Sequence, residues 1–307
     1  MNLVKTSIAL SMVAAFSAPV MANDEINFYG KANVGIQIAD EGDGAFSEVK
    51  SNASRLGAAG GLKVDDSLSV VYKVEVQIDM DGESDDNVTA RNQYVGLKGN
   101  FGEVLLGKND SVMKQSSSKL DIFNDYEADL KVLWKGENRV DESITYKSPK
   151  FNNFQLGVTY ATESDADQDA GISTALTWGD QKLSKSKYYA AIAADSEMNG
   201  YDAVRFTAGA KFGDLKLGAM VHTQENVDTG EELDGFFVSA AYKINDFTIK
   251  GQVQTGEVDG GDENTGVSGG VDYALAKNAT IFAFYTAFDF DTNGEKDYFA
   301  TGIEYKF

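Results

Sequence analysis

The sequence predicts an all-β protein, an antiparallel β-barrel that crosses an outer membrane, on three observations. Apolar residues recur with period two along nearly the whole chain, the connections between the alternating segments switch between short and long, and the amino-terminal residues read as an export signal. The composition agrees: 307 residues hold 31 Gly, 18 Phe and 14 Tyr but only 2 Pro, a balance that favours many strands joined by turns. It also closes off other chemistries. With no Cys and one His there is no thiolate, no disulfide framework and no Cys- or His-rich metal site. A net charge of −21 removes the Lys and Arg excess on which nucleic-acid binding rests, so nucleic acid is not an expected partner.

Residues 1–22 read as a signal peptide. Lys5 supplies the positive start, residues 7–16 a short apolar core, and Val20 and Ala22 the small residues ahead of a cut that leaves Asn23, Asp24 and Glu25 as a polar mature start. A core this short does not cross about 30 Å of hydrocarbon. Loss of Lys5 takes the mature chain, residues 23–307, from −21 to −22, and that chain reads as one domain.

The mature chain alternates. In residues 68–80 the even positions Leu68, Val70, Tyr72, Val74, Val76, Ile78 and Met80 are apolar, with Lys73, Glu75 and Gln77 between them. Residues 204–212 set Val204, Phe206 and Ala208 against Arg205 and Thr207, and residues 215–222 set Leu217, Ala219 and Val221 against Lys216 and His222. Segments with one apolar and one polar face fit either a soluble sheet with an apolar interior or a membrane barrel with a polar one. The connections decide. Tight turns at 64–67, 99–102, 213–214, 245–246 and 277–278 alternate with longer polar loops at 40–52, 81–89, 163–170, 225–234, 257–265 and 289–295, and short turns on one rim with long loops on the other mark a transmembrane barrel. Counting segments gives about sixteen strands, the even number such barrels use.

Several stretches together carry a resemblance. INFYGKANVGIQ from Ile26, SRLGAAGGLKV from Ser54, YVGLKGNFGEVLLGK from Tyr94 and NRVDESITYKSPKFNNFQLGVTY from Asn138 resemble the trimeric Gram-negative general porins, as does a last strand that alternates Phe299, Thr301, Ile303 and Tyr305 and ends in Phe307. The likeness covers essentially the whole mature chain. It implies a 16-stranded barrel with an inward-folded constriction loop at residues 109–138, a homotrimer in outer-membrane lipid and lipopolysaccharide, and passive passage of small hydrophilic solutes and ions without cofactor or metal. It further implies that Tyr305 and Phe307 form the signal read by the barrel-assembly machinery. Lys108 stands where many relatives have Arg and Glu142 where many have Asn, which predicts a thinner arginine ladder.

The loop carries Asp110, Asp121, Asp125, Glu127, Asp129 and Glu137, with Lys114, Lys119, Lys131 and Lys135. Leu120, Ile122, Phe123, Tyr126 and Leu133 interleave with them, which predicts a packed insert, since about thirty structureless residues inside a compact barrel would be unusual. Opposite it, alternation places Lys31, Arg55, Lys73, Arg139 and Lys147 on the lumen side, so a basic wall is expected to face an acidic loop across the bore. Parity from Val95 and Leu97 points Arg91 outward, but a position high in the rim, clear of the membrane, leaves its facing open. Most of the 48 Asp and Glu fall in the outward loops, from which a modest cation preference is expected. On the second strand the lipid-facing Leu56, Ala58, Gly60 and Leu62 leave room for a neighbouring wall, in line with a trimer.

Three other readings stand beside this one. A substrate-selective channel needs an aromatic slide along the lumen, which is not evident, although Phe282, Phe284 and Phe288 against Tyr285 leave the facing of residues 280–290 open. A barrel hydrolase needs a base, and His222 with Thr223 and Gln224 shows no catalytic arrangement. A calcium-binding β-protein is poorly served by Asp79, Asp81, Gly82, Asp85 and Asp86, which lack EF-hand spacing, or by Asp259, Gly260, Gly261 and Asp262, which form no repeat.

Overall fold

In the computed structural model, which describes residues 26–83, 86–163, 170–261, 263–292 and 294–307, the alternating segments are strands. The expected signal peptide, residues 1–22, lies outside the described residues, as do Asp85 and Asp262. In chain order the strands are β1 (Asn27–Asp40), β2 (Phe46–Ser51), β3 (Arg55–Lys63), β4 (Leu68–Ile78), β5 (Val88–Gly99), β6 (Gly102–Asp110), β7 (Arg139–Lys147), β8 (Phe154–Ala161) and β9 (Gly171–Gly179). The second half continues with β10 (Tyr188–Ser196), β11 (Tyr201–Phe212), β12 (Leu215–Asn226), β13 (Glu232–Ile244), β14 (Phe247–Val258), β15 (Glu263–Ala276), β16 (Ala279–Phe290) and β17 (Gly294–Lys306).

These 17 segments form one antiparallel sheet, and β1 pairs with β17 to close it. β2 and β3 pair in succession with the two halves of β1, so they are one wall broken at residues 52–54, and the barrel has sixteen walls. Asn33 marks the break from the other side. Its backbone N–H donates to Ser54 Oγ at 2.9 Å and its carbonyl accepts the Asn52 N–H at 2.8 Å. Closure matters because an open edge in lipid leaves backbone groups without partners.

Period two becomes two faces. Ile36, Ile192, Ile249 and Val267 are at least half exposed on the outside, while Asn33, Gln37, Thr207, Gln254 and Thr286 are buried on the inside. Such a polarity is the reverse of a water-soluble protein and leaves a belt of apolar side chains that only lipid covers. The rim of short turns carries exposed aromatics, among them Phe28, Phe151, Trp178, Tyr188, Phe212, Tyr242, Phe247 and Phe307. Rings with an apolar body and a polar edge settle at the membrane–water boundary, so this rim marks one interface.

Two features of the connections differ from the sequence reading. The outward hairpins stay paired far beyond the alternating core, as Glu225 with Glu232 and Glu257 with Glu263 show. Above the lipid nothing forces alternation, so charged residues continue the ladder there without the apolar signal that reveals it. The short-turn pattern also breaks once, where residues 180–187 make a longer connection on the short-turn rim and residues 197–200 a shorter one on the loop rim. Asp180 organises the longer one, its carboxylate accepting the N–H groups of Lys182, Ser184 and Lys185 and the Ser184 hydroxyl.

Candidate functional site

After β6 the chain turns into the barrel. Ser111 caps the six-residue helix α1 (Val112–Ser117), its hydroxyl accepting the Lys114 N–H at 3.2 Å, and Asp129 caps a 3-10 turn (Leu130–Val132) in the same way through Lys131. Neither element has enough length to stand alone. Apolar packing holds them. Val112 and Met113 rest on Ala175, Ala193 and Ala203, Leu120, Leu130 and Trp134 on Met220, Leu233 and Phe237, and Phe123 and Ala128 on Phe282, Phe284 and Ala300. Each large side chain buried this way is worth roughly 1.5–3 kcal/mol.

The wall is cut back to receive them. Gly209 and Gly218 sit under Leu120, Gly235 under Trp134 and Gly157 under Val112, where added side-chain atoms would collide with the loop. Hydrogen bonds then fix the height of the loop: Ser239 Oγ donates to the Leu120 carbonyl at 2.7 Å, Gln252 Nε2 to the Ala128 carbonyl at 2.8 Å, and Trp134 Nε1 to the Thr255 carbonyl at 2.6 Å.

What the loop presents to the opposite wall is acid. Asp125, at the tip with φ of 82°, accepts from Lys31 Nζ at 2.8 Å and Arg55 at 3.1 Å. Asp tolerates this left-handed backbone better than most residues. Glu127 lies 3.3 Å from Lys50 Nζ and accepts from Gln37 at 3.2 Å. Asp110 lies 3.0 Å from Arg139 Nε and 3.6 Å from Lys114 Nζ. A cavity of about 950 Å³ is bounded by both sides, and Lys31, Arg55, Lys73 and Arg139 all line it, as do Asp110, Asp125, Glu127 and Asp129. Asp129 also pairs with Lys131 at 3.6 Å.

One of the expected acidic residues and one of the basic ones are placed elsewhere, and a second acid borders the cavity while serving the loop. Asp121 lies on the cavity lining but is buried, and it accepts the backbone N–H groups of Leu130 at 3.0 Å and Phe123 at 3.3 Å, so it folds the loop. Glu137 is buried against the fully buried Arg205, which also donates to Ser117 Oγ at 2.9 Å and to the Lys135 carbonyl at 2.9 Å. Glu137 is spent on Arg205, and Asp121 on the loop backbone. Lys147 faces the lumen as expected, but it lines a separate cavity on the other side of α1.

The structure adds groups that alternation missed. Arg91 points inward, donating to Glu75 at 2.9 Å and Gln77 at 3.0 Å. Register explains it: Val74 faces Gln93 while Val76 faces Ala90, so a bulge on β5 sets both Arg91 and Asn92 opposite Glu75 and shifts the parity by one. A second irregularity opposite Asp141 and Glu142 in β7 accompanies Lys108, which pairs with Asp141 at 2.8 Å and does not join the cavity lining. Lys50 belonged to an expected loop and reaches the cavity because β2 continues the wall. Glu75 was visible as a polar position beside Lys73, and it lies 3.1 Å from it.

The open facing in β16 also resolves. Phe282, Phe284 and Phe288 point inward and are buried, Tyr285 outward, and Tyr126 of the loop lies 5.1 Å and 4.9 Å from the first two rings. His222, at a polar position of its strand's alternation, is buried beneath the loop. Trp134 stacks on it at 4.9 Å, and its ring nitrogens meet Arg205 Nε at 3.3 Å and Gln224 at 3.1 Å.

Electrostatics at the constriction run against the whole-chain charge. The cavity lining contains ten Lys and Arg against seven Asp and Glu, an excess of three positive charges in a chain of −21. Burial works against the Asp125 carboxylate, but Arg55 and Lys31 outweigh it and hold the group down to about 2. Burial, then Asp129, pushes the Asp121 carboxyl well above the usual range, and burial followed by Arg55 pushes the Lys119 ammonium down.

A family model described as Gram-negative porin matches residues 9–293. The chain belongs to the Gram-negative porins. It is 28% identical over 178 residues to the major outer membrane protein P.IB of Neisseria sicca, covering 54% of this chain and 49% of that protein. It is 27% identical over 272 residues to a monosaccharide porin of a Halomonas species, covering 81% and 68%. The chain thus spans about half the length of the neisserial relatives it matches. Among solved structures, the anion-selective porin from Comamonas acidovorans superposes with a TM-score of 0.78 at 17% identity, over 93% of this porin and 100% of the other. OmpF of Salmonella typhi, in complex with daunomycin, superposes with a TM-score of 0.72 at 16% identity over 92% and 98%. Family and closed barrel together make this an outer-membrane porin.

Proposed function

We propose that the protein is a general diffusion porin, passing small hydrophilic solutes and ions down their gradients through the bore between the loop tip and the β1–β5 wall. The observation that carries this reading is the cavity of about 950 Å³, bounded by loop acid at Asp110, Asp125 and Glu127 and wall base at Lys31, Lys50, Arg55 and Arg139, which meet in contact pairs of 2.8–3.3 Å. Fixed charge of both signs beside a narrow space orients dipolar solutes and disfavours apolar ones. No chemistry is asked of it. Burial of His222 under Trp134 supports a channel rather than a hydrolase, and covering of Phe282 and Phe284 by the loop supports an unselective bore over a sugar slide.

Ion preference follows from two opposed regions. Carboxylates of the outer loops favour cations at entry, whereas the basic excess at the constriction favours anions, a direction in keeping with the anion-selective neighbour. The outer loops act over a distance, so the cation preference is modest and salt-dependent. At about 0.01 M salt, with a Debye length near 30 Å, the reversal potential across a KCl gradient shows cation preference; at about 1 M, with a length near 3 Å, it falls toward zero or changes sign. A cation preference that grows with salt contradicts this reading.

A homotrimer is part of the same proposal. Leu56, Ala58, Gly60 and Leu62 face outward on β3, and an outer membrane protein of Vibrio cholerae with a similar fold is described in a trimer form. Export through a signal peptide at residues 1–22, residence among lipopolysaccharide and delivery by the assembly machinery through Tyr305 and Phe307 belong to it as well. The Phe307 backbone pairs with Gly30 and completes the seam between first and last strands.

A further inference from the structure

A second polar cavity, of about 230 Å³, lies on the opposite side of α1, between that helix, the β7–β9 wall and the connections after β7 and β9. It is separate from the constriction. Its lining brings together three ammonium groups, Lys147 from β7, Lys150 from the connection that follows and Lys182 from the connection after β9, with the carboxamides of Gln115, Gln155 and Gln181. Among the described residues none of the three lysines is in an ion pair. The carboxylates acting on Lys147 are Glu103 and Asp110, and these are engaged by Lys98 at 3.9 Å and by Arg139 at 3.0 Å.

One carboxylate, Asp180, stands on the lining, and its oxygens are already used. Four hydrogen bonds from Lys182, Ser184 and Lys185, between 2.7 and 3.1 Å, hold it within its own turn. The cavity therefore presents three lysines against one carboxylate, an excess of two positive charges, with Lys147 half-buried and Lys150 and Lys182 exposed at its edge, while the carboxamides already donate to the Asp110, Ser148 and Gln115 carbonyls. Like charges gathered without a partner repel, and an anion at their centre is what relieves that repulsion.

We propose that this cavity is a binding site for a small oxyanion, a solute bearing a phosphate or carboxylate group, on the side of the channel toward the short-turn rim. Its volume corresponds to about eight waters at roughly 30 Å³ each, room for the charged group and a short organic remainder. An anion that has cleared the constriction is held there before release from the short-turn mouth.

Inorganic phosphate is the probe, and binding is read without current, so the result does not depend on conduction. Saturable broadening of the phosphate 31P resonance by the full mature protein in detergent is expected. The triple variant Lys147→Gln, Lys150→Gln, Lys182→Gln should bind about tenfold more weakly or worse, and the constriction variant Lys50→Gln, Arg55→Gln should bind as the parent does. Lys150→Glu, a single change at an exposed position, should weaken binding with the barrel intact by its heat-modifiable gel mobility. No saturable broadening overturns the proposal. So does broadening unchanged in the triple variant and in Lys150→Glu, or broadening lost only in the constriction variant, which places the anion in the main bore. Phosphate binding by a protein that passes no current would remove the diffusion reading and leave this site standing.

Discussion

At the scale of single residues, a half-buried carboxylate and a buried ion pair do different work. Asp125 holds the loop tip to the wall through Lys31 and Arg55, and its carboxyl sits at about 2 against an unfolded value of 3.8. A depressed carboxylate contributes stability that is whole above the unfolded value and lost as pH falls through the folded one, here on the order of 2 kcal/mol for docking the tip. Single-channel current should therefore stay quiet from neutral pH to about 4 and turn noisy as pH falls toward 2, and Asp125→Asn should be noisy at every pH. Arg205 and Glu137 are both buried, and removing one member leaves the other without a partner. Arg205→Met should cost about 3–5 kcal/mol in denaturant unfolding, and adding Glu137→Leu should restore most of that loss. Single-variant stability equal to the parent would show that the pair holds nothing.

At the scale of elements, the strands were legible because lipid on one side and water on the other impose period two, and Lys31, Arg55, Lys73 and Arg139 fell where alternation put them. Arg91 did not, because a single bulge on β5 reverses every later parity assignment and has no signature in composition. Asp121 and Glu137 look like the other loop carboxylates in sequence. Their burial depends on which backbone N–H groups and which wall arginine the loop meets, and that is decided by packing between residues far apart in the chain. Lys108 and Lys147 show the same limit, for a lumen parity does not say which cavity a side chain enters. The loop itself rests on missing side chains in the wall. Gly235→Val should lift Trp134 from its seat, raise mean single-channel conductance and quench less of the indole emission on docking, while Gly269→Val, where nothing lies close, should leave conductance unchanged.

At the scale of the whole molecule, a chain of −21 builds a bore whose narrow part carries a basic excess, so net charge describes the rim and not the passage. The account turns on the claim that the cavity between loop and wall is the conducting path. The absence of native cysteine makes that directly testable. In planar bilayers the wild type should open in large ohmic steps, grouped in threes. In Lys119→Cys, at the cavity lining, a charged methanethiosulfonate reagent should lower the current in discrete steps, while Leu217→Cys, half exposed on the outer face, should not respond. Ohmic openings that ignore the reagent at Lys119→Cys, or no openings at all, would contradict it.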